Sequence, residues 1–277
     1  MRELIDELKH IKLAIFDLDG VVYRGDKLIS NSANVINKLK DLSIQVVYNS
    51  NNSTATRQTY VERLKSFNIS SKITDFYTSA SITSTEITKI KENANIFVIG
   101  EKGLKEELKS LGHKIESTPT HYNDIDFVIV GLDRNFNYDQ LAIAQRCILE
   151  GKAQFYATNA DATLPVAIGF KPGAGVMVKA LTTCINKEPI RIFGKPEPFG
   201  IKTILNDRHV PPDQACIFGD RLNTDILAGK RAGILSIVVL TGVTTREMIE
   251  KMKVQEEGFD KNLIPDLVIN NLSEIFQ

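Results

Sequence analysis

Short apolar runs rich in β-branched residues alternate along the chain with longer stretches whose apolar positions recur at helical spacing. Residues 11–16 read as a strand, and 31–42 as a helix with Val35, Ile36 and Leu39 on one face. Residues 44–48 are the next strand and 54–67 the next helix. Towards the C-terminus, 190–193, 215–218 and 236–240 read as strands, with helical stretches at 199–207 and 224–232. This alternation predicts an α/β fold, a Rossmann-like, doubly wound parallel sheet with helices on both faces.

The middle of the chain repeats the alternation on its own, with strands at 95–99, 126–130 and 154–157 and helices at 102–111 and 138–150. The Ser/Thr-rich 78–81 precedes this block and Lys-Pro-Gly-Ala-Gly at 171–175 follows it, so both are candidate hinges. The expected organisation is a discontinuous core of residues 1–79 and 180–277, with a second α/β domain, residues 80–179, inserted as a cap.

A chain of 277 residues fits two domains at roughly 150 residues each. The 34 Lys+Arg balance the 34 Asp+Glu. That removes the basic excess usual in nucleic-acid binders, and no nucleic-acid partner is expected. No run approaches the ~18 apolar residues of a membrane span, so no membrane partner is expected either. The first ten residues are amphipathic and acidic and lack a signal peptide's apolar centre, which predicts a cytoplasmic protein. Cys147, Cys184 and Cys216 are too scattered for a disulfide framework or zinc site, and read as small buried hydrophobes.

Ligands of open α/β sheets bind beyond the carboxyl ends of the strands. Beyond the first strand stands Asp17-Leu18-Asp19-Gly20. In extended chain Asp17 and Asp19 share a face, and adjoining carboxylates repel unless a cation lies between them. The pair is a candidate hard-metal site, most naturally for Mg²⁺; Asp-Gly is also a hairpin signal. Beyond the second strand, Asn49-Ser50-Asn51-Asn52-Ser53-Thr54 offers small polar residues. They could cap the next helix or bind a phosphoryl oxygen. Gly194-Lys195-Pro196 places a lysine beyond 190–193. Gly219-Asp220 through Asp225 adds two carboxylates beyond 215–218, although Asp225 alone could be a helix-start acid. Taken together, four strand ends supply carboxylates, hydroxyl and amide donors and one cation, the parts phosphoryl transfer needs.

With these motifs in this order the sequence resembles the haloacid dehalogenase superfamily. Within it, the chain is similar to the branch of p-nitrophenylphosphatases, phosphoglycolate phosphatases, pyridoxal phosphatases and NagD-like nucleotide phosphatases. The branch is indicated by 131–138 (Gly-Leu-Asp-Arg-Asn-Phe-Asn-Tyr), 157–165 (Ala-Thr-Asn-Ala-Asp-Ala-Thr-Leu-Pro), 172–175 and 194–198. The resemblance implies Asp17 as a nucleophile forming an aspartyl-phosphate and Asp19 as general acid/base. It implies Mg²⁺ held by the Asp17 carboxylate, the Asp19 backbone carbonyl and Asp220. Asp225 would hold a bound water or orient Lys195, which would neutralise Asp17 and the phosphate. Gly20, Ser50, Asn51 and Asn52 would line the phosphate site. Asn159 and Asp161, on a cap loop, are the specificity candidates, with an Asx turn as the alternative. Members of the family often carry Thr where Ser50 stands and Pro where Ala160 stands. Asn49 has no role in this scheme.

The expected function is Mg²⁺-dependent hydrolysis of small phosphomonoesters: p-nitrophenyl phosphate, phosphoglycolate, nucleotides, pyridoxal phosphate, or sugar and glycerol phosphates. The resemblance also suggests a homodimer through the cap. A non-catalytic phosphate-binding or regulatory protein would have a broken Asp17 or Asp19, and both are present. A phosphomutase is the other alternative, whereas dehalogenases lack the Asp-x-Asp pair. The Gly173-Ala174-Gly175 run lacks the third glycine of a dinucleotide fingerprint, and no Walker A motif occurs.

Overall fold

A computed structural model describes residues 3–165, 169–254 and 260–277. It begins with β1 (Leu13–Phe16), whose four residues are all buried, as expected of a parallel strand covered on both faces. A short hairpin (Tyr23–Arg24 with Lys27–Leu28) leads to α1 (Ser32–Asp41), β2 (Gln45–Ser50), α2 (Arg57–Ser66), β3 (Phe76–Thr78) and α3 (Ser79–Ile90). The middle of the chain forms β4 (Asn95–Ile99), α4 (Lys102–Ser110), β5 (Lys114–Ile115), β6 (Phe127–Val130), α5 (Tyr138–Leu149) and β7 (Gln154–Ala157). It continues with the antiparallel pair β8 (Thr163–Pro165) and β9 (Phe170–Pro172), then α6 (Ala174–Ile185) and β10 (Arg191–Ile192). Last come α7 (Phe199–Arg208), β11 (Ala215–Gly219), α8 (Leu227–Ala232), β12 (Leu235–Val239), α9 (Arg246–Val254) and β13 (Leu267–Ile269).

Two compact units result: residues 1–50, 61–77 and 195–277, and residues 51–60 and 78–194. In the first, six strands run in the order β13-β12-β11-β1-β2-β3. β1 pairs in parallel with β2 and with β11, and β12 pairs in parallel with β11 and β13. The chain winds outward from β1 in one direction and later returns to fill the other side. The order therefore reverses between β1 and β11, and their carboxyl ends flank the switch point. Leu13, Ile15, Val47 and Ile217 pack under Ile201, Ile204 and Leu205 of α7 and Ala228 of α8. On the other face Phe16 stacks on Phe218, with ring centroids 4.6 Å apart and an interplanar angle of 9°.

The second unit has its own five-stranded sheet, β10-β7-β6-β4-β5, with every pairing parallel. Val128, Val130 and Phe155 pack against Ala144 and Cys147 of α5 and Met177 and Leu181 of α6.

The unit boundaries differ from the expected cut after residue 179. Helix α6 continues to Ile185, and β10 pairs with β7, so 180–194 belong to the second unit. Residues 51–60 join it as well: the Gly103 amide donates to the Thr54 carbonyl (2.9 Å) and Arg57 forks onto Glu107 (2.8 Å). Neither expected hinge is loose chain. Phe170–Pro172 is strand β9, and Gly173 opens α6. Thr78 and Ser81 cap α3 reciprocally, with Oγ1 of Thr78 accepting from the Ser81 amide (3.1 Å) and Oγ of Ser81 from the Thr78 amide (3.0 Å). Helix α3 escapes the sequence pattern because its buried positions include Ser79, Ser81, Thr83 and Ser84, which leave no apolar stripe. The expected 224–232 helix is a π-helical turn (Leu222–Ile226) followed by α8. Cys184 is exposed on α6, unlike Cys147 and Cys216. Among the described residues, no helix is long and apolar enough to cross a membrane.

Phe218 is 1% exposed and stacked. Phe218→Ala should therefore lower unfolding free energy by about 3–5 kcal/mol, read by urea denaturation.

Candidate active site

The site of the first unit grows from strand ends. β1 continues its ladder for one residue, the Asp17 amide donating to the Phe218 carbonyl (2.9 Å), and this fixes where the Asp17 side chain leaves the sheet. Strand β2 runs through Asn49 to Ser50, beyond the 44–48 expected, and both residues are buried. Lys195 brings an ammonium among them. It is 4% exposed and donates to Asp17 Oδ1 (2.6 Å), Asp225 Oδ1 (2.6 Å) and the Asn49 backbone carbonyl (2.7 Å). Three acceptors match the three protons of the group. Asn49, which had no role in the sequence, thus supplies a carbonyl to the lysine. Its side-chain amide donates to the Tyr77 carbonyl (2.9 Å), tying β2 to β3.

Asp220 and Asp225 follow β11. A Cβ on Gly20 or on Gly242 would overlap the Asp220 carboxylate, and one on Gly219 would overlap Asp225. Gly20 also has φ +83°, which favours glycine. Gly20, nominated as a substrate contact, makes room for Asp220. The Val243 amide donates to Asp220 Oδ2 (2.8 Å) and the Arg221 amide to Asp225 Oδ2 (3.1 Å). Gly242 and Val243 went unnoticed in the sequence, yet they lie just past the predicted 236–240 strand, where the strand-end rule applies equally.

Oxygen atoms of Asp17, Asp220 and Asp225 lie within 4.8 Å of one another. Burial pushes Asp17 well above the usual carboxylate range; Lys195 opposes this, and Asp225 and Asp220 add to it. Burial, then Asp225, pushes Asp220 up to about 7 against the Val243 amide. Burial alone would lower Lys195, but Asp17 and Asp225 more than reverse it and hold the ammonium above its ordinary value. Three carboxylates facing one ammonium leave an excess of negative charge, and an all-oxygen donor set of this kind fits a hard divalent cation. The Asp19 carboxylate is not in this cluster. Burial raises its pKa against the pull of Arg63 and the Gly25 amide, and a raised carboxyl is the state a general acid needs.

The other nominated residues belong to the second unit, where Asn51, Asn159 and Asp161 meet. Asp161 Oδ2 accepts from the side-chain amides of Asn51 (2.9 Å) and Asn159 (2.7 Å). Asn52, nominated for the phosphate site, also shapes a turn: its Oδ1 accepts from the amide (2.8 Å) and hydroxyl (2.8 Å) of Thr54.

Known proteins resemble this chain in sequence and fold. The haloacid dehalogenase-like hydrolase family matches residues 14–114, and a second family described as HAD-hydrolase-like matches 192–275. An acid sugar phosphatase of Staphylococcus haemolyticus is 33% identical over 256 residues, covering 92% of this chain and 95% of its own. The 5'-nucleotidase YutF of Bacillus subtilis is 31% identical over 254 residues, 91% of this chain and 96% of its own. A 4-nitrophenylphosphatase structure from Thermotoga maritima superposes with a TM-score of 0.87 at 33% identity, covering 98% of both chains. The chain belongs to the haloacid dehalogenase-like hydrolases, in their NagD-like, p-nitrophenylphosphatase branch.

Proposed function

We propose that the protein hydrolyses small phosphomonoesters through an aspartyl-phosphate on Asp17, with Mg²⁺ bound at the acidic cluster. The observation that carries this is the convergence of Asp17, Asp220, Asp225 and Lys195 at the switch point of one sheet. Asp17, Asp220 and the Asp19 backbone carbonyl would hold the ion. When bound, it supplies charge neutralisation to the carboxylates and phosphoryl oxygens.

An oxygen of the Asp17 carboxylate attacks phosphorus, and the ester P–O bond breaks. The leaving alkoxide takes the proton of the Asp19 carboxyl, which burial helps keep protonated by raising its pKa. Asp19, now a carboxylate, withdraws a proton from water, whose oxygen attacks the phosphorus of the aspartyl-phosphate. Inorganic phosphate leaves and Asp17 is restored. Lys195 balances charge on Asp17 in the resting state and on the phosphoryl oxygens during transfer. The Ser50 hydroxyl is the proposed donor to a phosphoryl oxygen. The second unit serves as the cap that keeps water out and selects the leaving group. Relatives named for acid sugar phosphates, 5'-nucleotides and 4-nitrophenyl phosphate support sugar phosphates, nucleotides and the aryl ester as the first substrates to test.

Phosphate release from p-nitrophenyl phosphate should require Mg²⁺ and stop with EDTA. Asp17→Asn should abolish it, and Asp19→Asn should lower kcat by about 10²–10⁴-fold. Folded, Mg²⁺-loaded wild type inactive on aryl, sugar and nucleotide esters alike would overturn the reading.

A second expectation concerns pH. The Asp220 pKa is raised on folding, to about 7, so the metal-free native state binds a proton that the unfolded chain has already lost. The resulting stability is fully present below the unfolded carboxylate range and disappears as pH rises through about 7. In EDTA, the wild-type urea midpoint should therefore fall between pH 5.5 and pH 8 by more than that of Asp220→Asn. Added Mg²⁺ should restore it at pH 8, where proton competition is weakest.

A further inference from the structure

The loop that follows β7 holds two residues whose chain neighbours are part of the catalytic cluster. Asp161 Oδ2 accepts from Asn51, the residue after Ser50, at 2.9 Å. The Ser79 hydroxyl donates to the Asn51 backbone carbonyl at 2.7 Å, so both ends of Asn51 are fixed within the second unit. On the same loop the Thr158 carbonyl accepts from the amide of Gly194, the residue before Lys195, at 2.7 Å. Gly194 is pressed closely enough that a Cβ there would overlap Thr158 O, Asn51 Oδ1 and Asn159 Cβ. Asn159 links the two grips. Its amide donates to Asp161 Oδ2 (2.7 Å), its Oδ1 accepts from the Thr158 hydroxyl (2.8 Å), and it is 5% exposed.

We infer that residues 158–161 form a clasp that sets the spacing of Ser50 and Lys195 by gripping Asn51 and Gly194, with Asp161 as its positioning residue. This rests on the phosphatase reading and gives the second unit a task besides choosing the substrate. Both bonds to Asp161 end on one oxygen, and an amide oxygen can accept both as well. The clasp therefore needs the acceptor and not the charge, whereas a substrate contact made through the Asp161 carboxylate would need the charge.

The two roles separate experimentally. Asp161→Ala should lower kcat for p-nitrophenyl phosphate by about 10- to 100-fold, the scale of a small misplacement of reacting groups. KM should stay within about twofold. Asp161→Asn should retain most of the rate, and Asn51→Ala combined with Asp161→Ala should cost little more than either alone, as for groups acting as one unit. Independently of turnover, hydrogen exchange should quicken at the Gly194 amide in Asp161→Ala, and not in Asp161→Asn, while the strand amides of β12 stay protected. Asp161→Asn as impaired as Asp161→Ala, additive losses, or unchanged exchange at Gly194 would each overturn the clasp. An inactive wild type would overturn the phosphatase reading, and the exchange measurement would still decide the clasp.

Discussion

Lys195 carries an ammonium to a place where 4% of its side chain remains exposed, and an unpaired ion there would cost several kcal/mol. The acceptors that prevent this come from three separate stretches of chain: Asp17 beyond β1, the Asn49 carbonyl on β2 and Asp225 beyond β11. The lysine can be buried only if the parallel sheet brings those stretches together, and their polar groups can be buried only if the lysine arrives. The charges do not cancel, because Asp220 is also close and has no ammonium of its own. The surplus carboxylate is offset by a proton on Asp220, whose pKa is pushed up to about 7, or by a divalent cation of the kind proposed to bind there.

Glycine turns this electrostatic arrangement into a fixed geometry. Gly20 and Gly242 let two loops close on the Asp220 carboxylate, and the Val243 amide then aims one of its oxygens. Gly219 does the same for Asp225, whose second oxygen accepts from the Arg221 amide. Backbone donors in loops closed tightly beside strand ends need little reorganisation when a ligand arrives, which is the property electrostatic catalysis depends on. The cost is low tolerance: a single methyl group at any of these glycines falls where a carboxylate already is.

Much of this was legible in the chain. Parallel strands buried on both faces are largely continuous apolar runs, so β1, β4, β6, β11 and β12 stand out, and ligands collect at the carboxyl ends of such strands. Asp17, Asp220 and Asp225 follow strands of the first sheet as that rule expects, and so does Gly242, just past the 236–240 strand; Lys195 instead follows β10, a strand of the second unit's sheet. What stayed hidden has physical causes. Helix α3 buries hydroxyls that bond locally instead of apolar side chains, so its periodicity is silent. Asn49 acts through a backbone carbonyl, and a carbonyl has no residue signature. The unit boundaries were misplaced because Pro and Gly at 171–175 mark a strand and a helix start, while the true crossing at 194–195 follows the last residues paired to the second sheet.

Asn51 and Asn52 show why local sequence alone cannot separate a ligand contact from a turn. Both are asparagines just past a strand, and either could cap a helix or grip an anion. Asn52 satisfies its oxygen on Thr54, two residues away. Asn51 reaches Asp161, 110 residues distant in sequence. A bond that closes so long a loop is unfavourable until the intervening chain has folded. It therefore reports on tertiary structure in a way the Asn52 turn does not. A short polar segment can thus hold one residue whose oxygen shapes its own turn and a neighbour that ties distant parts of the chain. The partner at the far end of the bond distinguishes them, and the residue type does not.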